Sequence, residues 1–208
     1  MSGTAKIYDA DVYPTKSQIA EKYGAITDLV GSYRFVDPED IVGIEILVGK
    51  DMEGRWMQLP LVYTSDVIEG EALITTMKHS ILGKRYVGVA TASPAAVKEI
   101  IRVILNGDNG ASYSDGSGPQ VEVRGSGDEP AEVGDIEIRE YTRQRATGAV
   151  LVDGRSRSFF LRMPNLLLRP HETARGHTTS RMRLSGWRPN NPEDQRILAE
   201  LSWGDYQK

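Results

Sequence analysis

The chain contains no cysteine, which removes disulfides, thiolate metal sites and a cysteine nucleophile from consideration. Histidine is nearly as scarce: His79, His171 and His177 are the only three in 208 residues. No run approaches the roughly 18 consecutive apolar residues that a membrane helix needs. The start, Met-Ser-Gly-Thr-Ala-Lys-Ile-Tyr-Asp, lacks the apolar core of a signal peptide. The expectation is a cytoplasmic protein. Phosphate-cradling loops are missing too, since neither G-x-x-x-x-G-K-[ST] nor G-x-G-x-x-G occurs. Gly125-Ser126-Gly127 leads into Asp128-Glu129, whose charges repel phosphate. A G-x-S-x-G nucleophile elbow is absent as well.

What is present suits an ordinary globular protein, with 39% hydrophobic and 26% charged residues. The length fits one large domain or two small ones, either able to bury a core without metal. The net charge of −4 hides an asymmetry. Residues 1–138 carry 12 basic and 22 acidic side chains, whereas residues 139–196 carry 12 arginines, no lysine and 5 acids. An arginine-only block suits bidentate contacts to phosphate or nucleic acid. It equally suits pairing with the acidic first part of the same chain, or a solvated face. The overall acidity argues against nucleic acid.

Residues 5–13 read as a short extended leading segment. After Pro14, Thr15 or Ser17 can cap a short helix that Gly24 stops in the left-handed conformation. Three strands follow at 25–36, 41–48 and 55–63, close enough for an antiparallel meander. Gly31 permits a bulge in the first, Glu45 is the one charge in the second, and Pro60 suits an edge or bulge in the third. Next come a polar loop at 64–72, a turn or short helix around 71–78 and a strand from about 84 to 90. Ser93-Pro94 opens the clearest helix, its apolar stripe running through Val97, Ile100, Ile101, Ile104 and Leu105 to Asn106-Gly107. Residues 108–118 are a Gly/Ser/Asp-rich loop or linker. Strands are then expected at 119–124, 133–142, 147–152, 158–163 and 178–187, with a hairpin at Asp153-Gly154 and a C-terminal helix from Asn191-Pro192 to Trp203.

Chemistry concentrates at residues 73–87, where His79, Ser80, Lys84 and Arg85 crowd around Gly83. One reading makes Leu73, Ile74, Met77, Ile81 and Leu82 a buried face with His79 hydrogen-bonded beside it and Lys84 and Arg85 in solvent. The other makes His79, Ser80, Lys84 and Arg85, with Arg34 and Glu45 of neighbouring strands, a surface for a partner or a sugar or sugar-phosphate ligand. Neither demands a catalytic role, a metal or a cofactor. Metal ligation would have to draw on His79, or on His171 and His177 six residues apart, with Glu172 or Glu45, and no helical or hairpin spacing brings these together.

Several blocks in order carry a family resemblance: Val30-Gly31-Ser32-Tyr33-Arg34-Phe35, Asp37-Pro38, Val42-Gly43-Ile44-Glu45, Leu59-Pro60-Leu61-Val62-Tyr63 and Met77-Lys78-His79-Ser80-Ile81-Leu82-Gly83-Lys84-Arg85-Tyr86-Val87. Together they resemble the N-terminal cap domain of actinobacterial maltokinases, across residues 25–107. Val121 to Gly127 resembles stand-alone proteins with the same cap and a β-rich tail. Gly88-Val89 and Ser93 depart from the family pattern. The resemblance implies an α+β fold: a curved antiparallel sheet with flanking helices, cystatin-like, over residues 1–107, then a β-rich region at 119–208. It also implies a link to maltose, trehalose and glycogen metabolism. Phosphoryl transfer in maltokinases needs a His-Gly-Asp-type loop and an Asp-Phe pair; this chain has neither. The expectation is therefore a non-catalytic cap-like module, docking on a kinase-like or trehalose-synthase-type enzyme or on itself.

Overall fold

The computed structural model describes residues 2–170 and 182–204. It begins with the two-residue strands β1 (Thr4–Ala5) and β2 (Val12–Tyr13), then helix α1 (Lys16–Gly24). Thr15 caps α1 reciprocally: its hydroxyl accepts from the Gln18 amide and the Gln18 side chain accepts from the Thr15 amide. The left-handed residue that ends the helix is Ala25 (φ 53°), not Gly24. Gly24 has a different task. A Cβ there would lie 3.0 Å from the Leu59 Cβ, so its absence lets the helix rest on the sheet.

The first sheet is formed by β2, β3 (Asp28–Val36), β4 (Gly43–Lys50), β5 (Trp56–Thr64), β6 (Leu73–His79) and β7 (Gly83–Val89), in the order β2-β6-β7-β5-β4-β3. All its pairings are antiparallel. The expected bulge at Gly31 is present, as the register slips between Leu29 and Gly31. β5 is an interior strand, yet Pro60 falls just before its pairing with β7 begins at Leu61. The missing amide therefore leaves that ladder intact.

The turn or helix expected around 71–78 is a 3-10 turn at Gly70–Ala72 followed by strand β6. A register shift between Leu73 and Thr75 explains the misreading. The bulge resets the alternation, so Ile74 and Met77 are both buried in one cluster at the spacing of a helix. Ile81 and Leu82 do not continue that face; Ile81 is exposed in the turn.

Helix α2 (Pro94–Asn106) matches its expectation, with Ser93 as N-cap and Gly107 left-handed at its end (φ 59°). The loop-like stretch after it contributes strand β8 (Ser112–Tyr113), parallel to β1, and buries Ala111 and Tyr113. The second sheet comprises β9 (Glu122–Gly125), β10 (Val133–Thr142), β11 (Arg145–Val152), β12 (Arg155–Arg162), β13 (Met182–Arg188) and β14 (Asn191–Trp203), ordered β10-β11-β12-β14-β13-β9. Residues 191–203 are thus not the expected helix but an interior strand. Ile197, Leu198, Ala199 and Leu201 are all buried, with a slip at Leu198 between the Ser185 and Leu184 pairings. Burial on both faces and a bulge again imitate helical spacing. The start of the strand expected at 178–187 lies outside the described residues.

α1 packs on one face of the first sheet, against Leu47, Leu59 and Leu61. The opposite face (Tyr33, Phe35, Ile44, Ile46), the apolar stripe of α2 and the inner face of the second sheet (Phe159, Leu161, Leu184) form one continuous core. The fold is α+β, mostly sheet with two helices. Gln58 on β5 stitches the halves together. Completely buried, it accepts from the Tyr33 hydroxyl (3.1 Å) and donates to the carbonyls of Pro164 (2.9 Å) and Leu198 (2.7 Å). Backbone bonds from Gln58 to Asn165 and from Leu167 to Trp56 extend the stitch.

Candidate functional site

Cross-strand register places Arg34 of β3 directly opposite Glu45 of β4. Glu45 is buried, and its Oε1 accepts from Ser32 Oγ (2.7 Å), Lys16 Nζ (2.8 Å) and Arg34 Nη2 (3.0 Å). Burial alone would push the Glu45 carboxyl up. The charges of Arg34 and Lys16, with the hydrogen bonds from Lys16 and Ser32, outweigh it and hold the group below its ordinary value. Glu45 is therefore an anion clamped by two cations. Around it, the Tyr113 ring lies 5.8 Å from the Arg34 guanidinium, and the Tyr113 hydroxyl donates to the Ser32 carbonyl (3.2 Å). The buried Tyr63 hydroxyl and Arg34 Nε have no hydrogen-bond partner among the described residues. Burial, then the Glu45 charge, keeps Tyr63 protonated far above the usual phenol range.

The second group is the β6–β7 hairpin. His79 Nδ1 accepts from the amides of Ile81 and Leu82, both at 3.2 Å, and so closes the turn. An Nδ1 that accepts is unprotonated, which puts the ring hydrogen on Nε2. Burial, then the charges of Arg85 and Lys16, lowers the His79 pKa, so the neutral form is favoured. Tyr8 meets the ring edge-on at 5.7 Å. Ser80 binds Asp11 twice, its amide to the carbonyl and its hydroxyl from the amide, which fixes the leading segment to the turn. Lys84 donates to the Tyr86 hydroxyl at 3.0 Å. Strand alternation sends Lys84 and Arg85 to opposite faces, Arg85 lying across from Met77 and Lys84 across from Lys78.

The six residues singled out in the sequence thus form two arrangements. Arg34 and Glu45 meet; His79 and Ser80 build a turn; Lys84 leaves the face that His79 and Arg85 share. Lys16, Ser32, Tyr63 and Tyr113 complete the Glu45 cluster and were not anticipated. Lys16 arrives from α1 and Tyr113 from the apparent linker, contacts that strand periodicity does not encode. Among the described residues no group of three His, Asp or Glu side chains could hold a metal. His171, His177 and Glu172 lie outside them. No helix of the described residues is long and apolar enough to cross a membrane.

A curled antiparallel sheet with one helix on each face, its charged residues tied to one another, defines an α+β module in residues 12–106. Residues 14–92 match the model of the maltokinase N-terminal cap domain, so this part of the chain is similar to that domain. The match takes in α1 and strands β3 to β7 and stops just before α2. No curated protein matches the chain.

Proposed function

We propose that the chain is a non-catalytic cap-like binding or regulatory module of the cytoplasm, a cystatin-like cap that docks on an enzyme of maltose, trehalose or glycogen metabolism. The observation that carries this reading is the engagement of His79, Ser80 and Glu45 within the fold. His79 spends its acceptor on turn amides, Ser80 holds Asp11, and Glu45 is neutralised by Lys16 and Arg34. A general base needs a free lone pair within reach of substrate; His79 offers none, and Glu45 Oε1 already accepts from three donors. The cap family match supports the metabolic setting, and a kinase-like or trehalose-synthase-type enzyme is the partner that the resemblance favours. Opposite charges on the two parts of the chain suit such docking or self-association.

The test is sedimentation or calorimetry of the purified chain with a purified maltokinase and a trehalose synthase at physiological salt. A complex with a Kd of about 10 µM or tighter is expected. Free components at 100 µM, with the chain monomeric, would overturn the docking reading. A thermal-shift response to one sugar or sugar phosphate, lost in His79→Ala, would replace it with a ligand-binding one.

A further inference from the structure

We propose that an apolar cavity beside the start of α2 is the seat of the docking contact. Its occupant is one leucine- or phenylalanine-sized side chain, carried on a lysine- and arginine-rich segment of the partner. The cavity has a volume of about 170 Å³ and is bordered by the ends of β5 and β7, the segment after β5 and the residues that open α2. Val42, Val62, Ile68 and Val89 form its walls. Gly88 lines it as well, and a Cβ there would lie 2.6 Å from Ile68 Cδ1. The missing side chain is what lets Ile68 close over β7.

Size and polarity select what enters. An apolar cavity of about 150 Å³ admits a benzene-sized group, so this one suits a single branched or aromatic side chain. The two hydroxyls of its lining already serve the backbone. Thr64 Oγ1 accepts from the Asp66 amide (3.1 Å) and Ser93 Oγ from the Ala96 amide (3.4 Å). A well-held water needs about two to four polar partners, which these walls do not supply. An apolar group that displaces loosely held water gains affinity.

The neighbouring residues set the partner's charge. Ile41 and Val67, 53% and 64% exposed, adjoin the lining residues Val42 and Ile68 in the chain. They add apolar surface beside the cavity, the arrangement of a pocket that receives an interface anchor. Residues 37–42 and 64–72 contain six acids and no lysine or arginine. Asp37 accepts from the amides of Glu39, Ile41 and Val42, and Asp40 is paired with Lys6. Glu39, Asp66, Glu69 and Glu71 are exposed, and their carboxylates have no partner among the described residues. Four unanswered acids beside an apolar mouth attract a cationic segment and repel an acidic one.

The site rests on the docking reading only for the identity of the enzyme, so it is tested first without one. The full-length chain, labelled with nitrogen-15, is titrated with the capped peptide Arg-Lys-Leu-Arg-Lys, and its amide spectrum is followed. Saturable shifts at Val42, Thr64, Ile68, Gly88 and Ser93 are expected. Arg-Lys-Ser-Arg-Lys, which lacks the anchor, and Glu-Asp-Leu-Glu-Asp, which reverses the charge, should each bind at least tenfold more weakly. Ala72→Phe places a ring in the cavity, which Ala72 lines, and should abolish the shifts in a chain whose fold is checked by circular dichroism. Glu69→Lys combined with Glu71→Lys alters exposed side chains only and should weaken the peptide at least threefold. No saturable shift at these amides in the wild type, or equal affinity for the serine peptide, overturns the anchor cavity. Equal affinity for the acidic peptide, or none lost in the lysine double variant, overturns the cationic partner. The same variants are then sedimented with the maltokinase and the trehalose synthase. Peptide binding without an enzyme complex upholds the cavity and overturns the enzyme as its partner, whereas a complex untouched by Ala72→Phe upholds docking and overturns the cavity as its seat.

Discussion

Replacing Glu45 by glutamine removes the anion that Lys16 and Arg34 share while keeping the shape of the side chain. Breaking a buried ion pair by deleting one partner costs about 3–5 kcal/mol. Here the cations keep a route to water, since the Lys16 and Arg34 side chains are 37% and 22% exposed. Their partial rehydration lowers the expected cost to about 2 kcal/mol. For a chain of this size that corresponds to a fall in Tm of roughly 4–8 °C. The pH dependence has a definite sign. Glu45 titrates below its ordinary value in the folded state, so the unfolded chain binds the extra proton as the solution is acidified. Its contribution is complete above the unfolded pKa of about 4.3 and disappears as pH falls through the lower folded value. Urea unfolding of wild type and Glu45→Gln at pH 7 and again near pH 3 should show a deficit that shrinks in acid. Replacing both Arg34 and Glu45 by methionine should cost less than Glu45→Gln alone. A Glu45→Gln deficit under about 0.5 kcal/mol at pH 7, or one unchanged by acid, would refute the clamp.

His79→Ala should lose about 1 kcal/mol through its two orphaned turn amides, and His79→Asn should recover part of that in denaturant titrations at pH 7.5. The folded pKa of His79 is depressed, so wild-type stability should fall as pH drops from about 6.5 through that lower value, a slope that His79→Asn lacks. Gln58→Leu leaves the Tyr33 hydroxyl and the carbonyls of Pro164 and Leu198 unsatisfied in the core; chemical denaturation should show a loss of about 3 kcal/mol. A fragment of residues 1–107 exposes the α2 stripe that the second sheet covers. It should bind a hydrophobic dye and melt without a cooperative transition, and a sharp calorimetric peak would contradict the shared core.

The sequence revealed α1, α2, the β3–β5 meander and the β11–β12 hairpin because each rests on local rules: a cap, a stripe, a turn. It misled at β6 and β14 for one reason. At Ile74 and at Leu198 a bulge inserts an extra residue, and the apolar residues then recur at three and four rather than at two. For β14 the acidic start at Glu193-Asp194 reinforced the helical reading. The Arg34–Glu45 pair was accessible in principle, because the turn at Asp37–Asp40 sets the β3–β4 register. Lys16, Tyr63 and Tyr113 were not, since their approach to Glu45 depends on how α1, β5 and β8 pack. A small cleft beside Trp56 was hidden more deeply, as its lining comes from residues 48 to 198. Only the assembled seam brings them together.

The Gln58 stitch also bears on the order in which the protein can be made. Synthesis is vectorial, yet the side chain at position 58 waits for the carbonyl at 164 and then for the one at 198. Until β14 leaves the ribosome, Tyr33 and Gln58 sit in an unfinished core with polar atoms unmet and one face of α2 bare. At about 5–20 residues per second the interval lasts roughly 7–28 s, far longer than collapse or hairpin formation. The first sheet therefore spends its early life formed but unsealed, the state in which apolar surface is most open to chaperones and to misassociation. Strand β14 of the second sheet acts as the closure that commits the whole molecule.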